Sequence, residues 1–120
     1  MQQPELVKYC QEAGILVCSY SPLVPLTKHK DGPVTALVGS LAVKYGCTPA
    51  QVLLRWNLQG GKGVITTSTR PEGTGEVLAG LFDFELSAED VHAIDAAGAS
   101  SPFRAYWTKC PMESEPRSKL

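Results

Sequence analysis

Residues 15–20 form an almost unbroken apolar run, Ile-Leu-Val-Cys-Ser-Tyr, which ends abruptly at Ser21 and Pro22. The run lacks the alternation of apolar and polar residues that marks a strand with one face in water. It is therefore typical of a parallel strand that is covered on both faces. Parallel strands need long crossover connections, usually helices, so this segment favours an α/β fold.

The remaining segments have the patterns of helices and one more strand. Residues 64–67, Val-Ile-Thr-Thr, predict a second strand. Apolar residues at helical spacing, with proline, capping or glycine signals, predict helices over residues 4–13, 33–45, 48–56, 71–81 and 87–97. Residues 21–32 predict a long loop. Two parallel strands are too few for a stable covered sheet, so the sheet needs strands that this chain does not hold.

The composition excludes several classes of protein. The formal net charge is -1 and charges of both signs are mixed along the chain, which gives no footprint for a nucleic acid. The apolar runs are too short to cross a membrane, and the first residues do not resemble a signal peptide. The four cysteines lack the spacing of a zinc site or a disulfide framework. We expect reduced thiols in a cytoplasmic protein, with no metal, membrane or nucleic-acid partner.

Polar residues follow both predicted strands, where the site of a (β/α)8 barrel lies. Tyr20 and Ser21 follow the first strand. After the second strand, Ser68, Thr69 and Arg70 run into a predicted helix, whose free backbone N–H groups and dipole favour a phosphate. An alternative interpretation is that the hydroxyl residues only cap this helix.

Four segments in this order resemble the aldo-keto reductase superfamily, including some fungal members: LVKYCQEAGILVCSYSPL, TPAQVLLRW, VITTSTRPE and FDFELSAEDVHAID. The resemblance implies that the chain is the incomplete C-terminal portion of a (β/α)8 TIM barrel, with strands seven and eight and their flanking helices. About five or six strands of such a barrel would precede residue 1. Residues 1–98 would form a partial NADP-dependent oxidoreductase domain, and residues 99–120 a C-terminal tail.

The resemblance also implies a cofactor site for NADP(H). Tyr20 would stack on the nicotinamide ring, while Ser21 and Leu23 would line the path of the pyrophosphate. Ser68 and Thr69 match the motif of the family that binds the adenosine phosphate.

This sequence departs from the family pattern near the second strand. The usual Pro-Lys pair is replaced by residues 66–67, Thr-Thr. Gly73 stands where an arginine contacts the 2′-phosphate, and Val77 where an asparagine meets the adenine. Arg70 is expected to replace the missing charge, and Glu76 remains as a contact on the adenine side.

The catalytic Asp, Tyr, Lys and His of the family lie on earlier strands, so no catalytic residue is assigned here. We expect part of a reductase that converts an aldehyde or ketone to an alcohol, inactive by itself. In the full-length relative the partner is a small carbonyl substrate. Two alternatives stay open: a non-catalytic module that binds a nucleotide or a complementary barrel fragment, and an incomplete gene product. Uncovered barrel faces would favour self-association.

Other aromatic and histidine residues have simpler interpretations. His29 and His92 lack a spaced partner for metal or catalysis and are predicted to lie on the surface. Trp56 and Tyr45 lie on apolar helical faces and are predicted to pack in the core. The tail aromatics either close over the substrate pocket, as the resemblance implies, or cover exposed core; these residues are Phe103, Tyr106 and Trp107, with Arg104 among them.

Overall fold

The computed structural model describes residues 2–67, 71–103 and 105–106; at positions 71, 72, 74 and 76 it describes the backbone alone. Two short strands and six helices follow one another in this part of the chain. In order they are α1 (Pro4–Glu12), β1 (Cys18–Tyr20), α2 (Val24–Thr27), α3 (Pro33–Tyr45), α4 (Pro49–Gln59), β2 (Gly63–Ile65), α5 (Pro71–Leu78) and α6 (Ala88–Ser100).

The two strands pair in parallel, as the sequence predicted. Cys18 faces Gly63, and Tyr20 faces Ile65 at the carboxyl end of the pair. Both strands are shorter than the predicted runs. The amide of Ile15 bonds to the carbonyl of Cys10 at 2.7 Å and so belongs to the turn after α1. In the described part of the chain no third strand extends the ladder on either side.

The prediction that the first strand is covered on both faces is wrong for the described residues. The side chain of Ser19 faces α4, where its hydroxyl donates to Asn57 Oδ1 at 2.6 Å. Cys18 and Tyr20 alternate to the opposite face and are exposed. The reason is that α4 covers one face of the pair, while no described element covers the other.

The core lies where α3, α4 and α6 meet. It is a cluster of apolar side chains that are almost fully buried: Val38, Leu41, Ala42, Val52, Leu53, Leu86 and Ile94. Trp56 and Tyr45 pack against this cluster, as predicted, and place their polar atoms at its rim. Trp56 Nε1 donates to Asp95 Oδ1 at 3.1 Å, and the Tyr45 hydroxyl donates to Asp90 Oδ2. These bonds satisfy the polar ends of two large aromatic residues.

The helix ends follow local signals in some places and tertiary contacts in others. Thr48 and Gln51 form the predicted capping box of α4, and Gly46 ends α3 in the left-handed conformation, with φ 63°. The short helix α2 lies inside the predicted loop. At the other end of the chain α6 continues past Gly98 to Ser100. The amide side chain of Gln2 lies where a Cβ of Gly98 would be and donates to the carbonyl of Asp95, so this glycine allows close packing.

Candidate functional site

The carboxyl ends of β1 and β2 lie side by side and bring two of the predicted site segments to one edge. Because Tyr20 pairs with Ile65, Ser21 and Thr66 are the next residues on each strand. The predicted phosphate residues Ser68, Thr69 and Arg70 lie outside the described residues. The backbone of Glu76 lies in α5, and its side chain is likewise outside the described part.

Tyr20 and Ser21 form the exposed end of β1. Tyr20 is 71% exposed, so the part of its ring that the C-terminal tail leaves uncovered is open to solvent. Ser21 has φ 53°, in the left-handed region that non-glycine residues rarely adopt. Its carbonyl accepts from the amide of Val24 at 3.2 Å, and this turn leads the chain into α2. Such backbone strain persists where the surroundings fix it, and it is concentrated at functional sites.

Leu23 anchors the segment that follows Ser21. It precedes α2 as the N-cap, and its side chain packs against the core cluster. Its carbonyl accepts from the Leu26 amide at 3.0 Å and from the Thr27 hydroxyl at 3.3 Å. The side chain of Leu23 therefore positions the backbone of the site.

The C-terminal tail contacts the same end of β1. The ring of Tyr106 meets the ring of Tyr20 edge-on, with centroids 5.9 Å apart and an interplanar angle of 68°. The ammonium of Lys28 lies 4.0 Å from the centroid of the Tyr106 ring. Hydrogen bonding from Lys28, the largest cause, and from Ser21 lowers the pKa of the Tyr106 hydroxyl. Tyr106 thus contacts both predicted cofactor residues at this strand end.

His29 was predicted to lie on the surface, and it is half-buried because the preceding part of the tail packs against it. Its ring stacks on Phe103, with centroids 4.4 Å apart and planes 8° from parallel. Its Nε2 lies 3.2 Å from the hydroxyl oxygen of Ser101. His92 is exposed, as predicted. Arg104 and Trp107 lie outside the described residues.

Sequence reasoning missed the contribution of Lys28. This lysine lies in the segment that was predicted as a loop, and nothing local distinguishes it from a solvated lysine. Its position alone indicates a role, because it follows a strand end at the mouth of the predicted barrel, where such folds bind ligands.

A cleft of about 700 Å³ connects this strand end with the space between α1, α4 and α6. Tyr20, Ser21, His29 and Phe103 line one part of it, and Lys62 lines another. The volume is in the range of small-molecule sites. Burial lowers the pKa of Lys62, whose ammonium lies 4.2 Å from the centroid of the Trp56 ring.

Two kinds of feature are absent from the described ranges. Within them, no three His, Cys, Asp or Glu side chains are grouped as ligands of a metal ion. No helix of the same ranges has the length and apolar character needed to cross a membrane.

The chain is similar in sequence to the proteins of one family. The sequence model of the aldo/keto reductase family matches residues 1–99. The NADPH-dependent alpha-keto amide reductase of Saccharomyces cerevisiae is 40% identical over 113 residues, which cover 90% of this chain and 36% of that protein. The NAD/NADP-dependent indole-3-acetaldehyde reductase of Schizosaccharomyces pombe is 36% identical over 102 residues, which cover 84% of this chain and 35% of that protein.

Solved structures of aldo-keto reductases are similar to this chain in fold. The crystal structure of MGS-M4, an aldo-keto reductase enzyme from a Medee basin deep-sea metagenome library, superposes with a TM-score of 0.74. The superposition covers 91% of this chain and 40% of that structure, at 25% sequence identity. The chain spans about a third of the length of the curated relatives that it matches. Its relatives are oxidoreductases, and its fold is part of a (β/α)8 barrel. The chain belongs to the aldo/keto reductase family.

Proposed function

We propose that this chain is the nucleotide-binding C-terminal part of an NADP(H)-dependent aldo-keto reductase, with β1 and β2 as strands seven and eight of the barrel. The observation that carries the proposal is the parallel pairing of the two strands. It brings Tyr20 and Ser21 beside residues 66–67, at the edge where barrels of this kind bind phosphates.

The exposed ring of Tyr20 fits the nicotinamide end of such a nucleotide. A flat aromatic face at the end of a strand offers stacking, and the neighbouring Ser21 hydroxyl and strained backbone offer hydrogen bonds. Leu23 lines the path of the pyrophosphate through its backbone, since its side chain packs in the core. In this arrangement Tyr20 orients the nicotinamide ring, and Ser21 holds the pyrophosphate beside it.

The adenosine phosphate belongs to the segment after β2. Ser68, Thr69 and Arg70 lead into α5, an eight-residue helix whose N-terminal N–H groups favour an anion. Glu76 is assigned to the adenine side. The glycine at position 73 and the valine at position 77 remove two side chains of the family pattern, so Arg70 supplies the charge for the 2′-phosphate. Because one fungal relative is named for NAD and NADP together, NADH is the natural competitor in the test.

Catalysis by this chain alone is not part of the proposal. The nucleotide supplies a hydride when bound, and reduction of a carbonyl also needs a proton donor with a tuned pKa. We assign that donor and its partners to strands of the family barrel other than β1 and β2. We place the protein in the cytoplasm, where free thiols such as those of Cys10, Cys18 and Cys47 stay reduced. The division between a domain at 1–98 and a tail at 99–120 stays a prediction.

Calorimetric titration of the purified 120-residue chain with NADPH tests the proposal. We expect saturable binding that Tyr20→Ala weakens by about 5- to 150-fold, since stacking of a base on an aromatic ring contributes about 1–3 kcal/mol. Tyr9→Ala is the matched control, because it removes another exposed tyrosine, on α1. Equal loss in both variants, or no binding by the wild type, contradicts the proposed site.

Turnover is measured separately, as oxidation of NADPH that depends on an added aldehyde or ketone. We expect none from this chain, because the acid–base residues of the family are assigned to other strands. Measured carbonyl-dependent oxidation would show that this assignment is wrong.

A further inference from the structure

The start of the C-terminal tail is fastened across the end of β1. We call this segment the strap: residues 101–106, of which all but residue 104 are described. The strap contacts two neighbouring residues after α2, Lys28 and His29, and the end of β1 at Tyr20. Phe103 stacks on the His29 ring at 4.4 Å, and Tyr106 lies between the Tyr20 ring and the Lys28 ammonium. These contacts cross more than 70 residues of sequence, since His29 and Ser101 are 72 positions apart.

Tyr106 engages the groups that a nicotinamide nucleotide would need. Its ring contacts the Tyr20 ring, and the Lys28 ammonium lies 4.0 Å from its centroid. Lys28, the larger cause, and Ser21, next to Tyr20, lower the pKa of its hydroxyl. A planar ring inserted between two aromatic rings requires about 7 Å, because each of the two contacts takes about 3.5 Å. The centroids of Tyr20 and Tyr106 are 5.9 Å apart. No ring fits between them, so Tyr106 has to move before that side of Tyr20 can stack on a ligand.

We propose that the strap closes over the nicotinamide subsite in the free chain and that a nicotinamide nucleotide binds by displacing it. The inference rests on the proposed function, in which Tyr20 and Ser21 hold the nucleotide. Tyr106 then acts as an internal competitor, and Phe103 with His29 sets where the strap is anchored.

The contacts of the strap are shallow, which makes it displaceable. Tyr20 keeps 71% of its surface exposed beneath the strap, and Tyr106 keeps 40%. Edge-to-face aromatic pairs and exposed cation–π contacts are individually weak. A ligand whose site is closed for part of the time loses affinity in proportion to the closed fraction. The strap therefore lowers affinity by a modest factor.

The experiment compares two ligands across variants of the full chain. For NADPH, Tyr106→Ala is expected to strengthen binding by about 3- to 10-fold, as removal of a weak internal competitor predicts. His29→Ala, which releases the anchor, is expected to shift affinity in the same direction. Adenosine 2′,5′-bisphosphate lacks both the nicotinamide and the pyrophosphate, so its affinity should stay unchanged in either variant. Tyr9→Ala should alter neither ligand.

A measurement without nucleotide tests the closed state directly. In selectively tyrosine-labelled protein, nuclear Overhauser effects between the rings of Tyr20 and Tyr106 are expected in the free chain and should vanish on addition of NADPH. If these effects are absent from the free chain, the proposal that the strap closes over Tyr20 is wrong.

The possible failures separate the two proposals. Unchanged or weaker binding of NADPH by Tyr106→Ala overturns the strap and leaves the proposed function in place. Failure of every variant to bind both ligands contradicts the proposed function, and the strap proposal falls with it.

Discussion

Asp90 on α6 accepts hydrogen bonds from two neighbouring side chains of α3. The Lys44 ammonium lies 2.7 Å from Asp90 Oδ2, and the Tyr45 hydroxyl donates to the same oxygen. Hydrogen bonding from Lys44, then from Tyr45, lowers the pKa of Asp90 from 3.8 to about 2. The same carboxylate raises the pKa of Lys44. One side chain thus connects the two helices at the rim of the core.

The lowered pKa gives a prediction for stability against pH. A carboxyl whose pKa is lower in the folded chain stabilises it above the unfolded value of 3.8, and this contribution is lost as the pH falls to about 2. We therefore expect Asp90→Asn to lower the melting temperature at pH 7. The gap in melting temperature between this variant and the wild type should narrow as the pH falls from 3.8 to about 2. Asp31→Asn, in the exposed turn before α3, is the control. A difference that stays constant down to pH 2 contradicts the assignment.

At single residues, the sequence predicted local features better than distant contacts. The position of Tyr20 and Ser21 at the end of an apolar run predicts that they lie at a strand end, and the structure has them there. The anchor of the strap was missed because His29 and Ser101 are 72 positions apart, and no local pattern links them. Contacts of this kind depend on how the helices pack, which spacing along one segment does not encode.

Among the helices, α4 has the most complete local signal at its start. The Thr48 hydroxyl accepts from the Gln51 amide at 3.2 Å, and the Gln51 side chain accepts from the Thr48 amide at 2.8 Å. This helix supplies much of the core, so its N-terminus matters for the whole fold.

Thr48→Ala is expected to lower the free energy of unfolding by about 1 kcal/mol, because it leaves the amide of Gln51 without its cap. Urea denaturation measures the change, and the slope of the transition should stay the same. Ser40→Ala on the exposed face of α3 serves as the matched control. A loss no greater than that of the control would show that the capping box contributes nothing.

Element boundaries were predicted less well than element types, and two cases show why. Gly98 predicts a helix end, yet α6 passes through it because Gln2 packs against the bare backbone. Residues 15–17 predict strand, yet the ladder of β1 begins at Cys18, where its partner β2 begins. In both cases a tertiary partner sets the boundary, and a partner distant in sequence is invisible to local propensity.

On the scale of the whole molecule, the described residues leave one side of the strand pair largely exposed, and the strap contacts that side at Tyr20. Leu16 is 72% exposed, Tyr20 71% and Ile65 51%. Leu16, Cys18 and Tyr20 alternate along the chain, so they share a face. Each strand also has one edge without a described neighbour. An apolar face with open strand edges is the usual origin of association between chains.

We therefore expect the purified chain to self-associate through this face. Sedimentation velocity over a range of concentrations should show species heavier than the 12.9 kDa monomer, increasing with concentration. Leu16→Lys should shift the distribution towards monomer, because burying an unpaired ammonium in an apolar contact is costly. Val43→Lys is the matched control: Val43 is 85% exposed, but it lies on α3, away from the strands. If both variants dissociate the species equally, or if the wild type is monomeric throughout, the strand face is not the contact. Dissociation by Leu16→Lys alone would identify it as the surface that other strands of a barrel, or another copy of this chain, cover.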